Sequence, residues 1–201
     1  MIFGGTMLAG RGESSVTSTA EPYGCVSAVR ILGIGGAGCN VVEQFCGHPD
    51  LPRPLRIGRT GEGRPLDLRL GSDLDAGLSN DDRGRLALAV ASAELTIVVA
   101  GLGGNTGSYV APCVATLARR SGGRCVQVYC LPFSFEGEER RARSLRVLTE
   151  HNRAVDQLRI FSHDERLQDL PFDVILARTD AAMVSAVRTV VSNHRASDRR
   201  L

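Results

Sequence analysis

Twice in this chain a run of apolar residues ends in clustered glycines that open straight into a helical pattern. The first is "SAVRILGIGGAGCNVVEQFCG", Ser27 to Gly47, and the second is "ELTIVVAGLGGNTGSYVAPCVATLARR", Glu94 to Arg120. Glycine loses more backbone freedom on folding than any other residue. Four glycines between Gly101 and Gly107 therefore need a reason. A bare backbone between a buried strand and a helix supplies one. The first helical turn leaves N–H groups unbonded, the helix dipole is positive there, and an anion can come close. Two such loops on successive units make a phosphate cradle, to which Thr106 and Ser108 add hydroxyl donors. A tight turn explains either loop alone but not both at like positions.

The remaining sequence repeats the alternation. Short strands are expected in "PLRIG" and "PLDLRLGS", and a helix in "SNDDRGRLALAVASA", capped by Ser79 or Asn80 with Asp81 and Asp82 at its positive end. A helix is read from Tyr109 with Pro112 in its first turn. A strand "RCVQVYCLPF", a helix from about Gly137 to Leu158, a strand "LRIFSH" and an apolar helix over "FDVILARTDAAMVSAVRTVVSN" follow. Such alternation predicts an α/β fold: a doubly wound, mostly parallel, Rossmann-like sheet with helices on both faces. The organisation expected is an N-terminal arm over 1–26, a nucleotide-binding domain over 27–192 and a basic polar tail over 193–201.

Composition narrows the chemistry. Net charge is +2, which argues against nucleic acid as a partner. The basic residues are all arginine, which removes the lysine-dependent phosphate loop and Schiff-base catalysis. The six cysteines form no CxxC pair and the four histidines are scattered, so no metal site is expected. Buried free thiols in a reducing cytoplasm fit them. No run approaches the roughly 20 apolar residues of a membrane span, and the N-terminus does not read as a signal peptide.

Gly33, Gly35 and Gly38 satisfy GxGxxG, which admits an NAD(P)-dependent enzyme. Such an enzyme wants an acidic residue about 20 positions on. Arg59 stands in that neighbourhood, and the second loop is left unexplained.

The residues resemble the tubulin/FtsZ family of GTP-binding cytoskeletal proteins, FtsZ more than tubulin. The first loop is similar to the family's GxGGAGxN through Gly33, Gly35, Gly36, Ala37, Gly38 and Asn40. The second is similar to GGGTG[ST]G through Gly103, Gly104, Asn105, Thr106, Gly107 and Ser108. Asp82-Arg83 ahead of the next helix also follows the pattern. "LPFSFEGEERR" is similar to KPFxFEGxxR. The resemblance implies that GTP or GDP, accompanied by Mg2+, is held by these loops. It implies that Glu136 accepts from the ribose hydroxyls, that Arg140 reaches toward the phosphates and that Asp180 pairs with guanine. The partners it implies are guanine nucleotide and a full-length FtsZ-like filament or a second copy of the chain, in cell division or the cytoskeleton.

Departures temper that expectation. Asn105 replaces the signature's third glycine, Tyr109 its last, and Leu131 the lysine of the third motif. The loop that closes over the terminal phosphate, GxGAGxxP, has no counterpart in "LGSDLDAGLSNDD". The sequence ends within the family's central helix, so the acidic loop and activation domain beyond it are expected to be missing. No catalytic residue is assigned. The expected protein binds nucleotide, does not hydrolyse it alone, and serves as an interaction or regulatory module. The alternative is a scaffold of the same fold with an empty pocket. Ser162-His163-Asp164 stands for the family's Pro-Asn-Asp turn, with His163 read as a surface or capping residue. Cys39 is read as a packing residue. The charged run to Arg146 is read as a solvated helix face, Glu136 and Arg140 apart.

Overall fold

The structure, a computed structural model, describes residues 28–71, 77–151, 156–163 and 170–198. The expected arm, Cys25, Asp164 and residues 72–76 of the departing loop lie outside them. The elements run β1 (Val29–Ile34), α1 (Gly35–Glu43), β2 (Leu55–Arg59), β3 (Leu68–Leu70), α2 (Asn80–Val90), β4 (Leu95–Gly101), α3 (Asn105–Arg120), β5 (Arg124–Cys130), a single 3-10 turn (Ser134–Glu136), α4 (Glu138–His151), β6 (Gln157–Phe161) and α5 (Phe172–Asp198).

The strands form one sheet in the order β3-β2-β1-β4-β5-β6, with every pairing parallel. Strand side chains alternate between faces, and β4 shows the consequence. Ile97 and Val99 point to one layer with Val41, Val42, Met183, Val187 and Val191 of α1 and α5. Val98 and Ala100 point to the other, with Leu86, Val110, Val114 and Val147 of α2, α3 and α4. Because both faces are covered, the central strands read as continuous apolar runs. Each buried Val or Leu side chain contributes about 1.5–3 kcal/mol relative to exposure.

The chain thus has the doubly wound fold its alternation implied. Helix boundaries differ in an instructive way. α1 and α3 begin inside the glycine clusters, at Gly35 and Asn105, the second four residues ahead of the expected start at Tyr109. Pro112 is therefore not in the first turn of α3 but in its second, buried, where its ring denies the Ser108 carbonyl a helical partner. α4 is described only to His151, and β6 claims Leu158, which the sequence had placed at the helix end. α5 continues to Asp198, through the first part of the segment read as a tail.

Candidate functional site

β1 and β4 are neighbours, with Ile34 beside Ala100 at their C-terminal ends. The chain leaves β1 toward β2 on one side, whereas β5 and β6 extend the sheet beyond β4 on the other. This is the switch point of a doubly wound sheet, where a crevice must open. Both glycine loops stand at that crevice, so the N-termini of α1 and α3 share one opening.

The helices come this close only because Gly38 and Gly107 lack side chains. A β-carbon on Gly38 would lie 2.3 Å from the Val99 carbonyl oxygen, and one on Gly107 would lie 2.1 Å from that of Gly101. Between the loops is a cavity of about 590 Å³. Gly35, Gly36, Ala37 and Asn40 line it from α1, and Gly104, Asn105, Thr106 and Gly107 from the second loop and α3. Glu136, Arg140 and Asp180 complete the expected set on its wall. Gly103 and Ser108 stand behind that wall. The Ser108 hydroxyl accepts from the Gly103 N–H at 2.9 Å, which makes it a strut within the loop.

Glu136 is held from two sides. Its Oε1 accepts from the Phe133 N–H at 2.8 Å, and its Oε2 accepts from Arg140 Nη1 one helical turn on. An ionised carboxylate has about four lone-pair sites, so it retains acceptor capacity for a hydroxyl pair. Asp180 projects from α5 near Gln44 Nε2, which donates to it at 3.5 Å. Burial pushes its carboxyl above the usual range, with His163 pulling the other way.

His163 is a correction to the sequence reading. It is buried and lines the cavity. Its ring stacks on Phe133 with centroids 4.2 Å apart, and Nδ1 lies 2.9 Å from the Leu131 carbonyl oxygen. A carbonyl cannot donate, so Nδ1 carries the proton. Phe135 and Phe172, both exposed, join Phe133 in an aromatic cluster at the cavity edge. The sequence reading missed their grouping, because α5 and the 3-10 turn are joined only by tertiary packing. Phe135 at least lay within a quoted motif.

The departing residues are now placed. The Tyr109 ring leaves the cavity clear and lines a separate groove with Arg83 and Arg120. Leu131 lies on the cavity wall. Asn105 accepts through Oδ1 from Arg143 of α4. Cys39 is a packing residue: its thiol is buried against the Gly33 and Ile57 carbonyls and burial pushes it up to about 11. Among the described residues no group of three His, Cys, Asp or Glu side chains is placed to hold a metal, and no helix is long and apolar enough to cross a membrane.

No protein-family model matches the chain. The cell division protein FtsZ of Helicobacter pylori is 26% identical over 176 residues, covering 78% of this chain and 46% of that protein. FtsZ of M. jannaschii, as its W319Y mutant, superposes with a TM-score of 0.68 at 22% identity, over 81% of this chain and 55% of that one. CetZ2 from Haloferax volcanii, solved as a GTPγS-bound protofilament, gives 0.64 at 21% identity over 81% and 57%. The chain is similar in sequence to FtsZ and has the fold of FtsZ and CetZ. The chain spans about half the length of the FtsZ it matches. The glycine loops, the Glu136–Arg140 turn and the α5 carboxylate all face one cavity.

Proposed function

We propose that this domain binds a guanine nucleotide, GTP or GDP, in the cavity between its glycine loops. The observation that carries the reading is the adjacency of two helix N-termini around one cavity of about 590 Å³. Backbone N–H groups of Gly36, Ala37, Thr106 and Gly107 and the Thr106 hydroxyl receive the phosphates, with both helix dipoles favouring the anion. Glu136 accepts from the ribose hydroxyls, Arg140 faces the phosphates, and Asp180 accepts from the guanine edge. Mg2+ would enter with the phosphates, whose oxygens suit it. CetZ1 from Haloferax volcanii, of similar fold, was solved as a GDP-bound monomer, which agrees with this reading.

Taken alone, these 201 residues hold nucleotide without turning it over. Phosphoryl transfer to water needs a group to orient the water and charge stabilisation at the terminal phosphate. The two carboxylates on the cavity wall are committed to ribose and base. The segment from Gly71 to Ser79 offers no GxGAG loop. The domain then acts in the cytoplasm as an interaction or regulatory module for a filament of cell division or the cytoskeleton, built of FtsZ-like subunits or of further copies of itself. The protofilament form of CetZ2 supports this.

A second reading, a scaffold with no nucleotide, is favoured by the apolar share of the cavity wall: Leu131, Pro132, Phe135 and Leu176. Titration with labelled GTP, GDP and ATP, with phosphate release followed in parallel, separates the two. A carboxylate hydrogen bond of about 1.5–3 kcal/mol implies guanine preference of roughly tenfold to a hundredfold, without phosphate release. No binding at millimolar nucleotide establishes the scaffold. Steady release by the purified chain contradicts the non-hydrolysing role.

A further inference from the structure

The same contact occurs twice, once on each glycine loop. Arg64, between β2 and β3, donates through Nη1 to the Gly36 carbonyl at 3.0 Å and to Asn40 Oδ1 at 2.9 Å. Arg143, on α4, donates through Nη1 to the Gly103 carbonyl at 3.1 Å and to Asn105 Oδ1 at 2.5 Å. In each case a guanidinium from another element bridges a carbonyl and an asparagine at a glycine-rich helix start: Gly36 and Asn40 lie in the first turns of α1, and Gly103 and Asn105 flank the start of α3. Neither side chain is a loose surface arginine: Arg64 is 30% exposed and Arg143 25%. Arg64 belongs to no motif read from the sequence, and Arg143 corrects the reading of its charged run as a solvated helix face, since it turns onto the second loop.

We propose that Arg64 and Arg143 are a paired brace that sets both glycine loops for the phosphate chain. This rests on the nucleotide reading above. Three physical effects follow from the geometry. The Gly103 carbonyl, ahead of α3, repels an anion nearby, and the Arg143 guanidinium on it offsets that charge. The Asn40 amide has its oxygen committed to Arg64, so the end it can offer the cavity is its NH2, a donor to phosphate. A glycine-rich helix start is also conformationally loose, and a two-point arginine contact removes that freedom before the ligand arrives, which lowers the ordering cost of binding. Asn105, in a position the signature gives to glycine, is the residue Arg143 needs in order to grip the second loop. Arginine suits this task because its fork presents two or more donors in fixed geometry.

The test uses the whole chain and three probes: GDP, guanosine and inorganic pyrophosphate, followed by ligand-observed NMR and calorimetry. Arg64→Gln and Arg143→Gln are expected to weaken GDP and pyrophosphate about tenfold each while leaving guanosine within twofold. A purely structural role would weaken guanosine equally. Asn40→Asp is the second variant. It keeps a partner for Arg64, so folding is preserved, but it removes the donor and adds a negative charge; GDP affinity should fall and guanosine affinity should not. Thermal unfolding confirms that each variant is folded. Unchanged GDP affinity, or a parallel loss of guanosine, overturns the brace while leaving the nucleotide reading intact. Failure of the unaltered protein to bind GDP overturns both.

Discussion

Gly107 stands so close to Gly101 that a β-carbon on it would lie 2.1 Å from the Gly101 carbonyl oxygen. That closeness is what lets α3 start at the crevice rather than beyond it. Gly107→Ala gains about 1 kcal/mol of helix propensity but forces backbone apart, a cost of typically 1–3 kcal/mol. Denaturant unfolding should show net destabilisation, and GDP affinity should fall with it. A variant as stable as the parent that binds GDP equally would refute the close-approach account.

Asp180 carries a cost in the empty domain. Burial raises its folded pKa above 3.8, with His163 opposing. The folded state therefore holds this proton more tightly than the unfolded state. Stability from this group is greatest below 3.8 and falls as pH rises through the raised folded value. At neutral pH, Asp180→Asn should unfold at higher denaturant than the parent, and the two should converge below pH 3.8. The same variant should lose preference for GDP over ADP. Greater stability with weaker base selection is the signature of a binding residue; a variant less stable at pH 7 would contradict it.

Asp67 behaves in the opposite sense. Burial alone would raise it, but hydrogen bonds from the Arg56 side chain and backbone N–H, at 3.0 and 2.9 Å, outweigh burial and hold it below 3.8. Its contribution is full above 3.8 and is lost as pH falls through the lower folded value. Asp67→Asn should flatten the acid limb of the stability profile below about pH 4 and lower stability at neutral pH. An acid limb identical to the parent's would show that the pair does not tie β2 to β3.

Thiol reactivity reports the packing directly. Cys46 is exposed, Cys39 is buried with its thiol near 11, and burial pushes Cys125 and Cys130 up to about 12. The thiolate is the reactive form. Timed alkylation of the native protein, read by mass spectrometry, should modify Cys46 well before Cys39, Cys125 and Cys130. Early labelling of Cys39 would mean that α1 does not seal against β2.

The doubly wound sheet and its crevice were legible because burial and glycine write themselves into sequence, whereas the strand order came only with the structure. The apolar run Ile97–Ala100 required a two-sided sheet, and glycines at like places in two units required a shared opening. Helix starts were less legible. A glycine cluster reads as loop by propensity, yet here α1 opens at Gly35 and α3 at Asn105, with Gly38 and Gly107 letting both helices close on β4. Pro112 was misplaced for that reason alone. His163 was illegible, since its partners, the Leu131 carbonyl and the Phe133 ring, lie about 30 residues away, just after β5. Arg64 was hidden in a Pro- and Gly-rich stretch without periodicity, where nothing in sequence says which loop an arginine will grip.

The most direct measurement is calorimetric titration of the unaltered chain with GDP and ADP at neutral pH. The account predicts one site that takes GDP roughly tenfold or more tightly than ADP. No heat with either nucleotide at millimolar concentration, or equal affinity for both, would contradict it.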